Sequence, residues 1–338
     1  MNKKVSLKDI AAAVGVSTAL VSYVLNNKKE GRINKAVAEK IRATALKMNY
    51  RTNQIARSLK TNKTNTIGLI LADISNPFSA ALARVIEDAA DKHSYTVIFG
   101  SSDENPEKYK KILDALLNRQ VDGLILSPPE HAEPQIEELK KQQIPFILID
   151  RYFPDVETNY VALDNYKAAF EATQHLVDRG YKKIGMINYA SSLFHLAERT
   201  RGYLAALTKN KIPFKSDYLQ QVNANNLKEE TEKATQNLAD RKDGTDALLF
   251  GSNVIAMHAV KYINRKKLSV PQDVALVCFD EADAFDLFYA PLTFIKQPVK
   301  TMGQLSVEML LENIDYNNVK IKQVSLEGEL IIRQSTTG

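Results

Sequence analysis

The segment Leu7–Asn26, LKDIAAAVGVSTALVSYVLN, constrains this chain more than any other stretch. Two short apolar-periodic runs are split by Gly15-Val16-Ser17. Leu7, Ile10, Ala11 and Val14 fall at helical spacing before the break, and Val21, Val24 and Leu25 do so after it. Gly15 can take the left-handed backbone that ends a helix, and the Ser17 hydroxyl can accept a free N–H at the start of the next. Ala11, small where two helices would cross, lies four residues before Gly15, and apolar Val21 lies six after it. This spacing predicts a helix-turn-helix, whose second helix enters the DNA major groove, over an ordinary helical hairpin.

A polar loop over Asn27–Ile33 follows. A third amphipathic helix is predicted over about Lys35–Met48, with Val37, Ile41, Ala45 and Met48 on the face that closes a three-helix core. Asn49-Tyr50 ends it. Asn53–Leu59 spells two more helical turns, too short to be stable alone in water, and the polar run Lys60–Asn65 marks a boundary. Charge divides the chain at the same place: residues 1–65 hold 14 Lys/Arg and 3 Asp/Glu, whereas residues 66–338 hold 31 and 37. A basic head on a mildly acidic body suits a polyanion-binding module joined to something else. A basic surface serving only solubility would not concentrate charge in this way.

From Thr66 the pattern changes. Apolar runs at Ile67–Ala72, Thr96–Phe99, Gly123–Leu126, Phe146–Ile149, Ile184–Ile187, Ala247–Phe250 and Val274–Phe279 alternate with amphipathic segments near 78–93, 106–119, 133–142, 165–179, 196–210, 229–240 and 253–265. Such alternation predicts parallel sheets covered by helices on both faces. A break after Asp164 divides the units into two similar series. The fold class expected is therefore a small all-α helix-turn-helix domain plus an α/β body of two doubly wound parallel-sheet subdomains. Crossing segments are expected near Leu163–Asn165, Phe294–Gln297 and Asn318–Gln323.

Ligands of such sheets sit beyond the carboxyl ends of the strands. The residues there are Asp73, Asp103 and Asp150-Arg151 in the first half, and Asn188, Ser252 and Asp280 in the second. With Phe78 as an apolar surface, the set suits a small polyhydroxylated ligand: carboxylates and Arg take hydroxyl hydrogen bonds, and an aromatic face covers one side of a sugar ring. Any one of these residues is equally a loop-end cap or an ion-pair partner; the converging set is the stronger signal.

Other classes are disfavoured. The lone Cys278, inside Val274–Phe279, reads as a core residue in a reducing compartment. Lys8 and Asp9 interrupt any apolar signal-peptide region after Lys3-Lys4, and no run reaches membrane-spanning length, so the expected location is the cytoplasm. No G-x-G-x-x-G follows a strand, no P-loop is present, and the five histidines show no metal or triad spacing. The sequence therefore predicts no enzyme, no cofactor and no metal. A sugar-binding transport protein would share the body but not the basic head.

Taken in order, these motifs resemble the LacI/GalR family of bacterial transcription regulators over essentially the full length. The resemblance rests on the helix-turn-helix, Asn49-Tyr50, Ala56-Arg57-Ser58-Leu59, Thr64-Asn65-Thr66-Ile67-Gly68, Asn76-Pro77-Phe78 and Val121-Asp122-Gly123. It continues through Asp150-Arg151, Arg199 three residues before Gly202, Phe279-Asp280 and Gln297-Pro298. It implies a DNA-binding domain over 1–50, a hinge helix and linker over 51–65, and an effector-binding and dimerisation domain over 66–338. The first subdomain would hold about 66–164 and 296–323, the second about 165–295 and 324–338.

The resemblance also implies roles. Thr18, Ala19 and Tyr23 match base-reading positions, and Ser17, Ser22, Asn26 and Tyr50 match phosphate contacts. Leu59 matches the hinge residue that wedges into the minor groove, flanked by Ala56 and Lys60. Phe78, Asp103, Arg151, Arg199, Ser252, Asp280 and Gln297 match effector-contacting positions. The partners implied are double-stranded operator DNA, a small-molecule effector of sugar type and a second copy of the chain, with no membrane. Five features depart from the pattern, the first a slightly long loop at Glu30-Gly31-Arg32. Tyr23 stands where many relatives have Arg, and a phenol cannot fork onto guanine. Thr52 stands where Pro is common, Ser252 where Asn or Asp is common, and His258 where Gly is usual; His258 reads as a helix-surface or interface residue.

Overall fold

The computed structural model describes residues 5–26, 32–50, 63–239, 244–316 and 320–337. The chain forms two compact units, Met1–Thr64 and Asn65–Gly338.

The first unit contains α1 (Leu7–Val14), α2 (Thr18–Leu25) and α3 (Lys35–Lys47). Each start has its own cap. Ser6 and Asp9 form a reciprocal capping box on α1, Ser17 accepts from Leu20 N at 3.2 Å on α2, and Asn34 accepts from Ala36 N and Val37 N on α3. Gly15 ends α1 at φ +78°, and the chain turns by 107° into α2, an angle suited to a helix-turn-helix. Ile10, Ala11, Val21, Val24, Ile41 and Ala45 form the buried core, one pair from each helix. The expected wedge Leu59, with Ala56 and Lys60, lies outside the described residues.

The second unit carries two six-stranded sheets. The first subdomain contains β1 (Thr66–Leu71), α4 (Pro77–Lys92), β2 (Thr96–Ser101), α5 (Pro106–Asn118), β3 (Gly123–Leu126), α6 (Glu133–Lys141), β4 (Phe146–Ile149) and β5 (Tyr160–Leu163). The second contains α7 (Asn165–Asp178), β6 (Ile184–Tyr189), α8 (Phe194–Lys209), β7 (Leu219–Val222), α9 (Leu227–Ala239), β8 (Ala247–Phe250), α10 (Asn253–Lys266), β9 (Ala275–Phe279) and β10 (Thr293–Lys296). The chain then returns through α11 (Val299–Asp315) and β11 (Gln323–Leu326) and ends with β12 (Glu329–Ile331). The sheet orders are β11-β5-β4-β3-β1-β2 and β12-β10-β9-β8-β6-β7. All pairings are parallel except β10 with β12.

The central strands GLIL, FILI, ALLF and ALVCF are buried throughout, as strands covered on both faces must be. Helices α4 and α5 both begin Asn-Pro: the Asn side chain caps the first turn, and proline stands where a helix has no N–H to lose.

The chain passes between subdomains after Leu163, after Lys296 and after Leu326. The third passage differs from the expected Asn318–Gln323. β11 pairs in parallel with β5 over Gln323↔Tyr160 to Leu326↔Leu163, so residues 324–326 belong to the first sheet. Only Glu327-Gly328 crosses. A short strand of alternating exposure at a sheet edge carries little sequence signal, which is why its assignment shifted. Gly328 lets the passages touch, since a Cβ there would lie 2.9 Å from Ile295 and 3.2 Å from Leu163. Among the described residues no single helix is long and apolar enough to cross a membrane.

Candidate DNA-binding surface and effector cleft

Packing of the head fixes which face of α2 is free. With Val21 and Val24 buried, Thr18 and Ala19 are exposed at its start, and Tyr23 is 38% exposed one turn later. Ser17 is exposed too, although its oxygen already caps the helix. Ser22 and Asn26 are half-buried and engaged with each other: Asn26 Nδ2 donates to the Ser22 carbonyl at 2.7 Å and to its hydroxyl at 3.4 Å. Tyr50 packs its ring on the head core, and burial raises its phenol pKa.

In the body, the carboxyl ends of both sheets face one cleft. Its mouth is a cavity of about 620 Å³ between α4 on one side and α10 with the loop after β9 on the other, lined by Phe78, Asn253, His258, Asp280 and Gln297 among others. Asp150 and Asp280 directly follow β4 and β9. These strands hold equivalent places in the two sheets, and both aspartates adopt left-handed backbone, at φ +68° and +70°. Turning the chain there directs each carboxylate into the cleft. Burial is the main cause that raises the Asp150 pKa, to about 6, with Arg151 and Arg199 opposing it. Burial likewise raises Asp280, against the pull of Arg199 and a hydrogen bond from Gln297.

Each arginine is held by the fold. Arg151 forks onto Glu104, with Nη1–Oε2 and Nη2–Oε1 both 2.6 Å. Burial works against its charge, but Glu104 outweighs that and raises its pKa. Arg199, on α8, donates from Nε to Asn165 Oδ1 at 2.7 Å and from Nη1 to the Gly251 carbonyl at 2.6 Å. Its guanidinium stands 4.0 Å over the Phe279 ring. Gln297 Nε2 donates to Asp280 Oδ1 at 2.5 Å. Buried polar atoms remain beside these groups: Arg151 Nε, Asn253 Oδ1 and Gln297 Oε1 find no hydrogen-bond partner among the described residues. The Arg151 Nε stands 3.5 Å from Asp150 Oδ2 without a hydrogen bond, and with the two free acceptors beside these charges it can receive a ligand rich in hydroxyls.

Contacts also span the cleft directly. Asn253 Nδ2 donates to Asn76 Oδ1 at 3.1 Å. Glu130 accepts from Ser191 Oγ at 2.7 Å and Ser192 Oγ at 3.0 Å. Burial pushes the Glu130 pKa up, but these hydrogen bonds outweigh it and lower the carboxyl below its ordinary value.

The structure thus brings together Phe78, Arg151, Arg199, Asp280 and Gln297. It does not bring in Asp103, which is exposed and tied to Lys108 and Ser101. Positive φ at both Asp103 and Glu104 turns the chain so that Glu104 reaches Arg151 instead. Ser252 caps α10 and touches Tyr189 OH at 3.3 Å; its neighbour Asn253 presents the partnerless oxygen. The residues sequence reasoning missed are Glu104, Asn253, Tyr189, Asn165 and His195. For Glu104 and Asn253 the signal was one position away.

Residues 6–53 match the family model described as bacterial regulatory proteins, lacI family. Residues 64–334 match periplasmic binding proteins and sugar binding domain of LacI family. The chain is 31% identical to catabolite control protein A of Priestia megaterium, over 98% of this chain and 99% of that protein. It is 30% identical to the ribose operon repressor of Halalkalibacterium halodurans, over 98% and 97%. The lac repressor dimer bound to operator and the anti-inducer ONPF shares the fold, with a TM-score of 0.87 at 23% identity, covering 99% of this chain and 100% of that one.

Proposed function

Because the chain belongs to the lacI family of bacterial regulatory proteins, we propose that it is a repressor whose operator affinity is set by a small polyhydroxylated effector, a sugar or sugar derivative. The family relation makes it a DNA-binding transcriptional regulator with an effector-binding domain, and not an enzyme. In our reading it works as a homodimer on double-stranded operator DNA in the cytoplasm, with Thr18, Ala19 and Tyr23 reading bases. Ser17, Ser22, Asn26 and Tyr50 then face phosphates, and Leu59 with Ala56 and Lys60 serves the minor groove.

The observation that carries the effector reading is the set Asp150, Arg151, Arg199 and Asp280, buried except for the half-buried Arg151, drawn from both subdomains and flanked by polar atoms without a hydrogen bond. A ligand bonded to both sets of groups favours one relative orientation of the subdomains. Its effect on DNA affinity must then be matched by an equal effect of DNA on ligand affinity.

The test uses the full chain. Thermal-shift screening against sugars and sugar phosphates identifies a stabilising compound. Operator fragments selected from genomic DNA are then titrated with and without it. Arg199→Ala is expected to abolish the response while leaving DNA affinity of the unliganded protein largely intact. A variant that still responds fully makes Arg199 a structural residue only and removes the cleft from the mechanism.

A further inference from the structure

A second cavity, of about 260 Å³, lies at the first passage between the subdomains. Tyr152 lines it from the first subdomain, Asp164 and Tyr166 from the passage itself, and Phe194, His195 and Glu198 from the second. It shares no lining residue with the mouth of the effector cleft, and Asn165, which lines it, accepts from Arg199 Nε.

Its chemistry is that of acceptors and rings. Asp164 caps α7 by accepting from Lys167 N at 2.9 Å, which leaves further lone pairs on its carboxylate. Glu198 is 16% exposed in its side chain and pairs at 2.5 Å with Arg201, which is 63% exposed. The carboxylate is therefore inside and the guanidinium at the rim, 4.3 Å over the Tyr166 ring. Tyr152 stacks on Tyr160 at 3.9 Å and meets Phe194 at 5.2 Å. The Tyr152 phenol pKa is raised, by burial first and then by Tyr160, Glu198 and Asp164, consistent with a negative local field. His195 is 6% exposed, and its Nδ1 finds no partner among the described residues. Burial and the nearby Arg151 and Arg199 hold its ring neutral, so one ring nitrogen remains an acceptor.

We propose that this cavity is a second ligand site, selective for a small aliphatic ammonium compound held by Asp164, Glu198 and His195 with its charge beside the Tyr152 ring. Two carboxylates and an imidazole accept N–H bonds, and the aromatic ring attracts the cation. A neutral polyol loses the charge-assisted part of the binding. An occupant touches both subdomains and the passage that joins them, and Asn165 relays its position to Arg199.

The probe is 1,4-diaminobutane, with 1,4-butanediol as its uncharged counterpart, each titrated calorimetrically into the full chain at pH 7. Saturable binding of the diamine and not of the diol is expected. Glu198→Gln should weaken it about tenfold or more, by loss of one charge-assisted contact. Arg201→Gln should strengthen it severalfold, because it frees Glu198 of its rim cation. Asp280→Asn, in the other cleft, should weaken it less than Glu198→Gln does. Equal binding of the diol, or no diamine binding up to about 10 mM, a strength at the weak limit of specific recognition, overturns the proposal. So does loss of binding in Asp280→Asn with retention in Glu198→Gln, which places the diamine in the effector cleft.

Discussion

The residues proposed to read bases, Thr18, Ala19 and Tyr23, lie within six consecutive positions, all exposed along one short helix. Those proposed to hold the effector come from α4, the ends of β4 and β9, α8 and the second passage, and all but Phe78 and Arg151 are buried. The contrast has a physical consequence. An exposed reading face can change its side chains at little cost to stability, because packing is carried by Ile10, Val21, Val24 and Ile41 on the opposite side. The cleft has no such separation. Its polar groups are buried, so their desolvation, the subdomain orientation and the ligand are linked in one equilibrium. Substitutions at four positions test that contrast, from the largest expected effect to the smallest.

Ile41→Ala should destabilise the head by about 2–5 kcal/mol, the usual range for truncating a large core residue. Among the described residues six buried side chains form that core, so the loss of one is a large share of it. Scanning calorimetry of the full chain should show one transition lowered and the body transition in place, with DNA binding lost. A single transition that moves as a whole would break the comparison, since head and body would then unfold as one unit.

Asp150→Asn tests the opposite property of the body. A carboxyl raised from 3.8 to about 6 favours its protonated form in the folded state. Its contribution to stability is therefore fully present below the ordinary value and is lost as pH rises through about 6. At pH 7.5 the buried carboxylate costs roughly 3 kcal/mol, which the amide removes while tolerating the left-handed backbone. The variant should melt above wild type at pH 7.5, with the gap closing towards pH 4. A variant less stable at pH 7.5 would mean that attraction to Arg151 and Arg199 outweighs burial.

These two cases also show what was legible in the sequence. Head periodicity, Gly15 and Ser17 are local signals, and the helices they announced run Leu7–Val14, Thr18–Leu25 and Lys35–Lys47. The doubly wound pattern was legible because strands covered on both faces are continuous apolar runs. β11 was not, because half of its residues face solvent. At the cleft, a strand-end position could be read, but which of two adjacent polar residues turns inward could not. Positive φ at Asp103 and Glu104 decides that, and neither residue type announces it. Asn165 and Tyr189 act only because another segment packs against them, and a single strand or helix carries no trace of that.

Gly202→Ala sharpens the comparison within the body. A Cβ there would overlap the Tyr166 carbonyl oxygen and lie 2.9 Å from Phe170 N, so α7 and α8 would have to separate. Overpacking of this kind costs about 1–3 kcal/mol. The expected result is a lower body transition and a weaker effector response, since α8 carries Arg199, with the head transition unchanged. An unchanged body would show that these helices shift freely, and the cleft would be less tightly tied to packing than the contacts of Arg199 indicate.

The smallest effect separates two roles within one residue of the head. Ser17 caps α2 through Leu20 N and is also proposed to meet a phosphate. Ser17→Ala should cost about 1 kcal/mol of head stability by loss of the cap, and DNA affinity should fall for both reasons together. Ser17→Asp keeps a capping oxygen and places negative charge at the positive end of the helix, so stability should hold or rise slightly. If the same side chain faces a phosphate, that charge repels it, and operator affinity should fall further than in Ser17→Ala despite the intact cap. Melting temperature and operator affinity, measured for both variants at two salt concentrations, decide the matter, because repulsion is screened by salt and loss of a cap is not. Should Ser17→Asp bind operator as wild type does, Ser17 is a cap alone, and phosphate contact by α2 rests on other residues.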